Sequence, residues 1–173
     1  MKSEIKGGLF TSTQASALLE MSVQTLREWQ RKKYLPLPDT GGWQRYRLED
    51  IFAIFSMEWL LQTGMTHEKA ASIAKLAYPI YEGIIRDTKA GIPAKEQTFR
   101  LLVSAGPNTE TEFEPIKNVA ELAEKLEAQT EWYTVQFLID FRALFEDMNF
   151  AINYHTFSDG PRMFWKSEGE SDQ

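Results

Sequence analysis

The chain of 173 residues contains no cysteine and only two histidines, His67 and His155. Without thiols it forms no disulfide, holds no thiolate-bound metal and runs no cysteine-nucleophile chemistry. That composition agrees with a reducing cytoplasm. The histidines lie far apart, one at an expected helix start and one near the C-terminus, and read as surface residues rather than bases. There is no glycine-rich phosphate loop, because Gly41-Gly42 falls in a hairpin turn and not between a strand and a helix. Paired acids such as Glu49-Asp50 and Glu146-Asp147 have ordinary places at helix starts and on solvated faces. The residues therefore predict no enzyme, no cofactor and no metal site. The opening MKSEIKGGLF lacks the apolar stretch of a secretory leader. No apolar run approaches the roughly 18 residues of a membrane helix.

Positive charge is also in short supply: 19 Lys and Arg face 25 Asp and Glu, a net −6. The deficit is uneven. Residues 1–77 carry ten basic against eight acidic side chains, net +2, whereas residues 78–173 carry nine against seventeen, net −8. A nucleic-acid contact is a local electrostatic event, so the overall sign does not exclude one on the first part. The asymmetry divides the chain into segments with different work. Hydrophobic residues make up 43%, enough for a packed core.

Helix starts are well marked. In Phe10-Thr11-Ser12-Thr13-Gln14, Thr11 and Gln14 form a capping box, and Ala15, Leu18 and Leu19 follow on one face. Ser22 caps a second short helix with Val23, Leu26 and Trp29 inward, running to about Lys33. Two such helices around a tight turn are the helix-turn-helix layout. Leu35–Pro38 and Trp43–Arg47 read as two short strands around Asp39-Thr40-Gly41-Gly42. A third helix starts at Leu48-Glu49-Asp50 with Ile51, Ile54, Phe55, Met57, Leu60 and Leu61 on its apolar face, and Gly64 stops it. Thr66 caps a fourth helix, which Pro79 bends or ends, with the pattern resuming through Ile84-Ile85 toward Ala90.

Gly91-Ile92-Pro93 reads as a linker. Beyond it, Thr98–Ser104 and Glu112–Lys117 are strand candidates. Asn118 caps an amphipathic helix over Val119–Ala128. A strand ends near Ile139, and Asp140 caps a last helix from Phe141. The fold class is α+β: an N-terminal winged helix-turn-helix, mostly α with a short β wing, then a small β-β-α-β-α domain. The expected boundaries are 1–77 for the first domain, 78–93 for a connecting helix and linker, 94–156 for a small dimerisation or effector domain, and 157–173 for a disordered tail.

Four pieces in order resemble the DNA-binding domain of the MerR family of regulators. They are the helix Phe10–Leu19; Thr25-Leu26-Arg27-Glu28-Trp29, like the family's T-L-R-x-[YW]; Leu35-Pro36 with Gly41-Gly42, Arg45-Tyr46 and Glu49-Asp50; and Leu60-Leu61 with Gly64-Met65-Thr66. The sequence departs from the family at Glu20 and Lys33, where the family has turn glycines, and at Gln44, where it has a wing arginine. A side chain at positive φ costs about 1–2 kcal/mol per site.

The resemblance implies a sequence-specific regulator binding double-stranded DNA, with one helix in the major groove and the wing on the flanking minor groove or backbone. Gln24, Thr25, Arg27, Glu28, Arg31 and Lys32 are the expected contacts from the helix, and Trp43, Gln44, Arg45, Tyr46 and Arg47 from the wing. Trp29 reads as core, and Tyr46 either seals the wing or meets a phosphate. Relatives dimerise through a long helix after this domain. Here that helix spans at most Thr66 to Ala90, so a homodimer without a long coiled coil is expected. Thiolate metal sensing is excluded. A small-molecule or protein effector on the C-terminal half remains open, with Trp132, Tyr133 and Phe137 as candidate walls. No membrane partner is expected, and the location is cytoplasmic, with the nucleoid. Two further readings stay open: a DNA-architecture factor of the excisionase or partition kind, and a protein-interaction module working through the acidic half.

Overall fold

The computed structural model describes residues 9–37, 45–93, 96–97, 99–105, 112–128 and 135–157. A strand β1 (Phe10–Thr11) leads into helices α1 (Ser12–Leu18) and α2 (Val23–Arg31). Strand β2 (Arg45–Tyr46) leads into α3 (Leu48–Gln62), α4 (His67–Ala74) and α5 (Ala77–Lys89). Strands β3 (Arg100–Ala105) and β4 (Glu112–Ile116), helix α6 (Val119–Ala128), strand β5 (Val135–Asp140) and helix α7 (Phe141–Phe157) complete the order. The α+β class and the β-β-α-β-α order of the C-terminal part stand as expected.

Local signals placed these helices. The Thr11 hydroxyl accepts from the Gln14 amide at 3.2 Å while the Thr11 amide donates to Gln14 Oε1 at 2.9 Å. Ser22 accepts from the Thr25 amide at 2.9 Å, Asn118 from the Glu121 amide at 2.9 Å, and Asp140 from the Ala143 amide at 3.2 Å. Each cap satisfies an amide that the first helical turn leaves without a partner.

Helix α3 is the centre of the molecule. Ile51, Phe52, Ala53, Ile54, Met57 and Leu60 are all fully buried, so the helix is covered over most of its circumference, as its wide apolar face requires. Helices α4, α5 and α7 pack on it. The Phe52 ring meets Phe141, Phe145 and Tyr81 at centroid distances of 6.2, 5.6 and 6.2 Å, and Tyr81 meets Phe145 at 5.8 Å. The last helix is thus built into the core of the first segment. One apolar cluster runs from Ala15 through Leu26 and Trp29 to Phe145 and Ala151.

The C-terminal sheet has the order β4-β3-β5, antiparallel throughout. Leu101 and Val103 on β3 and Ile139 on β5 share the face that joins the core. Phe99, just before β3, lies over Gly83 of α5, so closely that a Cβ there would stand 2.7 Å from the ring. At the end of the sheet, the Arg100 guanidinium pairs with Asp140 at 2.8 Å.

Two expectations are corrected. Among the described residues β2 pairs antiparallel with β1, Phe10 opposite Tyr46 and Thr11 opposite Arg45, and not with Leu35–Leu37. Pro36 and Pro38 stand two apart, which removes successive donors from one edge of that segment. Leu35 and Leu37 are buried in the core instead. The helix break also lies elsewhere. The chain leaves α4 at Lys75 and re-enters helix at Ala77, and Pro79 is the third residue of α5. A first-turn residue has no intrahelical acceptor for its N–H, so proline is tolerated there.

Asp50 joins the start of α3 to α5. It is buried, accepts from the Arg47 amide at 2.8 Å and from the Tyr78 hydroxyl at 3.2 Å. Burial raises its carboxyl above the ordinary value, against the pull of those two hydrogen bonds. Burial, then the Asp50 charge, raises the Tyr78 hydroxyl, and burial pushes Tyr81 up to about 12. An acid whose folded pKa is raised holds its proton longer folded than unfolded. Its contribution is complete below the ordinary tyrosine value near 10 and is lost as pH rises toward the folded value. Urea midpoints should therefore fall between pH 9 and 11.5. The Tyr81 share is about 2 kcal/mol, and Tyr81→Phe should flatten the profile over that range.

Candidate nucleic-acid interface

Helix α2 is fixed from within. Leu26 and Trp29 are buried against the core, and the Ser16 hydroxyl of α1 bonds the Met21 carbonyl across the turn between the helices. The His67 ring at the start of α4 stacks on Tyr34 at 5.5 Å and stands edge-on to Trp29 at 6.4 Å. These contacts hold the C-terminal end of α2 against the first turn of α4.

With the inner side occupied, the outer side presents side chains to solvent. Gln24, Arg27, Glu28, Arg31 and Lys32 are exposed, and Thr25 is half-buried with its hydroxyl 2.8 Å from Ser22 Oγ. Glu28 pairs with Lys32 at 3.0 Å, and that hydrogen bond and charge hold its carboxyl below the usual range. Lys32 also lies 5.7 Å from the Tyr34 ring centre. A phosphate must compete with both partners for Lys32, whereas Arg27 and Arg31 have no ion pair among the described residues.

On β2, Arg45 is exposed and Tyr46 is fully buried. Of the two readings open for Tyr46, it takes the first: its ring seals β2 onto the core, its hydroxyl bonds the Ser12 side chain, and burial raises its pKa. A side chain without accessible surface does not reach a groove. The Arg27 charge also acts on the Tyr46 hydroxyl, which brings the outer side of α2 and strand β2 to one region of the surface. Arg47 is exposed and pairs with Glu49 at 3.3 Å. Trp43 and Gln44 lie outside the described residues.

Both helices end in the same hydrogen-bonded reversal. After α2 the Lys33 amide donates to Gln30 O at 2.9 Å and the Tyr34 amide to Trp29 O at 3.1 Å; after α1 the Met21 amide donates to Ser16 O at 3.1 Å. This motif needs a left-handed residue just past the cap. Gly64 and Gly91 supply it after α3 and α5, with φ of 90° and 76°. After α1 and α2 it falls on Glu20 and Lys33, with φ of 50° and 55°.

That ordered set, two capped helices with a left-handed turn after each, then strand, acidic helix start and Gly64, coincides with a known family. Residues 10–76 match the MerR HTH family of regulatory proteins. The matched segment spans β1 through α4 and is similar to the helix-turn-helix of those regulators. Compared with curated proteins, the chain finds no match. In and beside the matched segment, the contacts that the sequence did not mark are those reaching across it. Ser12 to Tyr46, Asp50 to Tyr78 and His67 to Tyr34 span some 28 to 34 positions, and no local period marks such pairs.

The two non-glycine turn residues carry a testable cost. Lys33→Gly should raise stability by about 0.5–1 kcal/mol, the relief of left-handed strain less the entropy glycine loses on folding. A thermal melt should move up by about 1–3 °C for a chain of this size. A lowered midpoint would show that the lysine side chain itself holds the turn.

Proposed function

We propose that the chain is a sequence-specific regulator of transcription that sets α2 in the major groove of double-stranded DNA and brings Arg45 and Arg47 against the flanking minor groove or backbone. One observation carries this reading. The helix corresponding to the family's reading helix is locked on its inner side by Leu26 and Trp29, while its outer side offers Gln24, Arg27 and Arg31 to solvent. Gln and Arg match adenine and guanine edges with paired donors and acceptors, and Thr25, Glu28 and Lys32 flank them. Trp43 and Gln44 join Arg45 and Arg47 as contacts of the wing. Tyr46 acts from beneath by holding that strand in place.

The active species is a homodimer, since a two-fold reader on two half-sites one helical turn apart gains both area and specificity. It works in the cytoplasm, on the nucleoid. The deciding experiment selects bound sequences from a random duplex pool and measures anisotropy with the enriched duplex over a range of salt. A recurrent sequence, with affinity falling on a log–log slope of about −0.9 per phosphate contacted, is the expected result. Enrichment of no sequence, with equal affinity for all duplexes, would reduce the reading to an architectural role. Sedimentation at micromolar concentration tests the dimer, and a monomer that still binds a palindrome would remove it.

A further inference from the structure

A groove of about 420 Å³ opens between α1, α3 and α7, lined on α3 rather than on the outer side of α2. The volume is in the range of drug-sized ligand sites, about 300–1,000 Å³. Its walls are aromatic: Phe55 and Trp59, one turn apart on α3, and Phe150 on α7. Trp59 is 37% exposed and Phe150 66% exposed, both large for apolar side chains on a folded chain. Among the described residues its charged lining is of one sign: Glu20 comes from the turn after α1, Glu58 from α3 and Asp147 from α7, with neither Lys nor Arg beside them.

We propose that this groove binds a hydrophobic organic cation, an aromatic or alkyl ammonium. Aromatic faces attract a cation through the ring quadrupole. Three carboxylates on three elements, set around low-dielectric walls, focus a negative potential into the same space. An anion meets repulsion from all three. The groove also touches the DNA-reading unit directly. Glu20 is the left-handed residue between α1 and α2, two positions before the Ser22 cap. A ligand that bridges this turn to α7 therefore acts on the seating of α2. This regulatory half rests on the DNA-binding reading above.

The test uses the full chain and three probes on one naphthylmethyl frame: trimethyl(naphthalen-1-ylmethyl)ammonium, naphthalen-1-ylmethanesulfonate and naphthalen-1-ylmethanol. Calorimetry should find the ammonium bound at least about tenfold more tightly than the sulfonate, the combined scale of a cation–π contact and an ion pair. Trp59→Ala should weaken the ammonium about tenfold and Trp59→Phe much less. The pair Glu58→Gln with Asp147→Asn should bring the ammonium down to the alcohol. Circular-dichroism melts establish that each variant is folded. Equal binding of ammonium and sulfonate, or no response to Trp59→Ala in a folded variant, overturns the site. Self-association lost in Trp59→Ala assigns the groove to a second copy and also overturns it. Saturating ammonium should change the affinity for the selected duplex at least about threefold, within the usual range of coupling between sites. Unchanged affinity overturns the regulatory half. A chain that binds the ammonium with this pattern but no duplex keeps the site and loses the DNA reading.

Discussion

Phe145→Ala should destabilise the whole chain, helices α1 and α2 included, by about 3–5 kcal/mol. Phe145 lies on α7, far along the sequence from the helix-turn-helix, yet it is 2% exposed and its ring stands edge-on to Phe52 at the centre of α3. It also meets Tyr81 of α5 and carries the Arg142 guanidinium 5.4 Å from its centre. Truncation removes the contacts of a full aromatic ring and leaves a cavity. The rings of Phe52, Tyr81 and Phe141 are anchored on three other helix positions and refill it poorly. Because one apolar cluster includes both Phe145 and Leu26, the loss is shared and not confined to the C-terminal part. Hydrogen exchange should show amides of α2 and α3 losing protection together with those of α7. Urea transitions followed by fluorescence and by circular dichroism should shift together. Protection lost in α7 alone would mean that the N-terminal unit folds without it.

The sequence was informative where structure is decided within one helical turn. Thr11 with Gln14, Ser22, Asn118 and Asp140 each sit three residues or fewer from the amides they cap, so type and spacing were enough to place the helix starts. Glu20 and Lys33 were recognisable for a similar reason, since a turn that wants a left-handed residue wants one whichever residue stands there. The partner of β2 was not legible. A two-residue strand has no alternation to read, and its mate, Phe10–Thr11, lies 35 positions upstream of it. Pro79 misled because its effect depends on position: in mid-helix it breaks, in the first turn it fits, and its sequence neighbours look alike in both. The Phe141, Leu144, Phe145 and Met148 stripe was visible at helical spacing, but which surface it covers was not. A stripe names a buried face and not the face opposite. In the candidate interface, the exposed outer side of α2 followed from its amphipathic period. The burial of Tyr46 beneath Arg45 and Arg47 left two readings open until its neighbours were seen.

Arg27→Ala should lower affinity for the selected duplex by about 1–3 kcal/mol, five- to 150-fold, if the guanidinium pairs with a base. Arg27 is exposed on α2, has no ion pair among the described residues, and stands near enough to Tyr46 for its charge to act on that hydroxyl. Its neighbours differ in a way that sets the comparison. Lys32 is already paired with Glu28 and lies against Tyr34, so Lys32→Ala gives up a contact that DNA had to compete for, and its loss should be the smaller. Arg47 pairs with Glu49 on the surface, a bond worth little in water. Releasing it for a phosphate costs little, so Arg47→Ala should cut affinity about equally on every sequence and reduce the salt slope by about one. The signature of Arg27 is different: its loss should be large on the selected duplex, small on random duplex, and accompanied by relaxed preference at one base pair in a repeated selection. Neither variant touches the core, so melts should stay within about 0.5 kcal/mol of the parent. An equal loss on selected and random duplexes would reassign Arg27 from base reading to the backbone. No loss on either would mean that α2 does not enter the groove by this side.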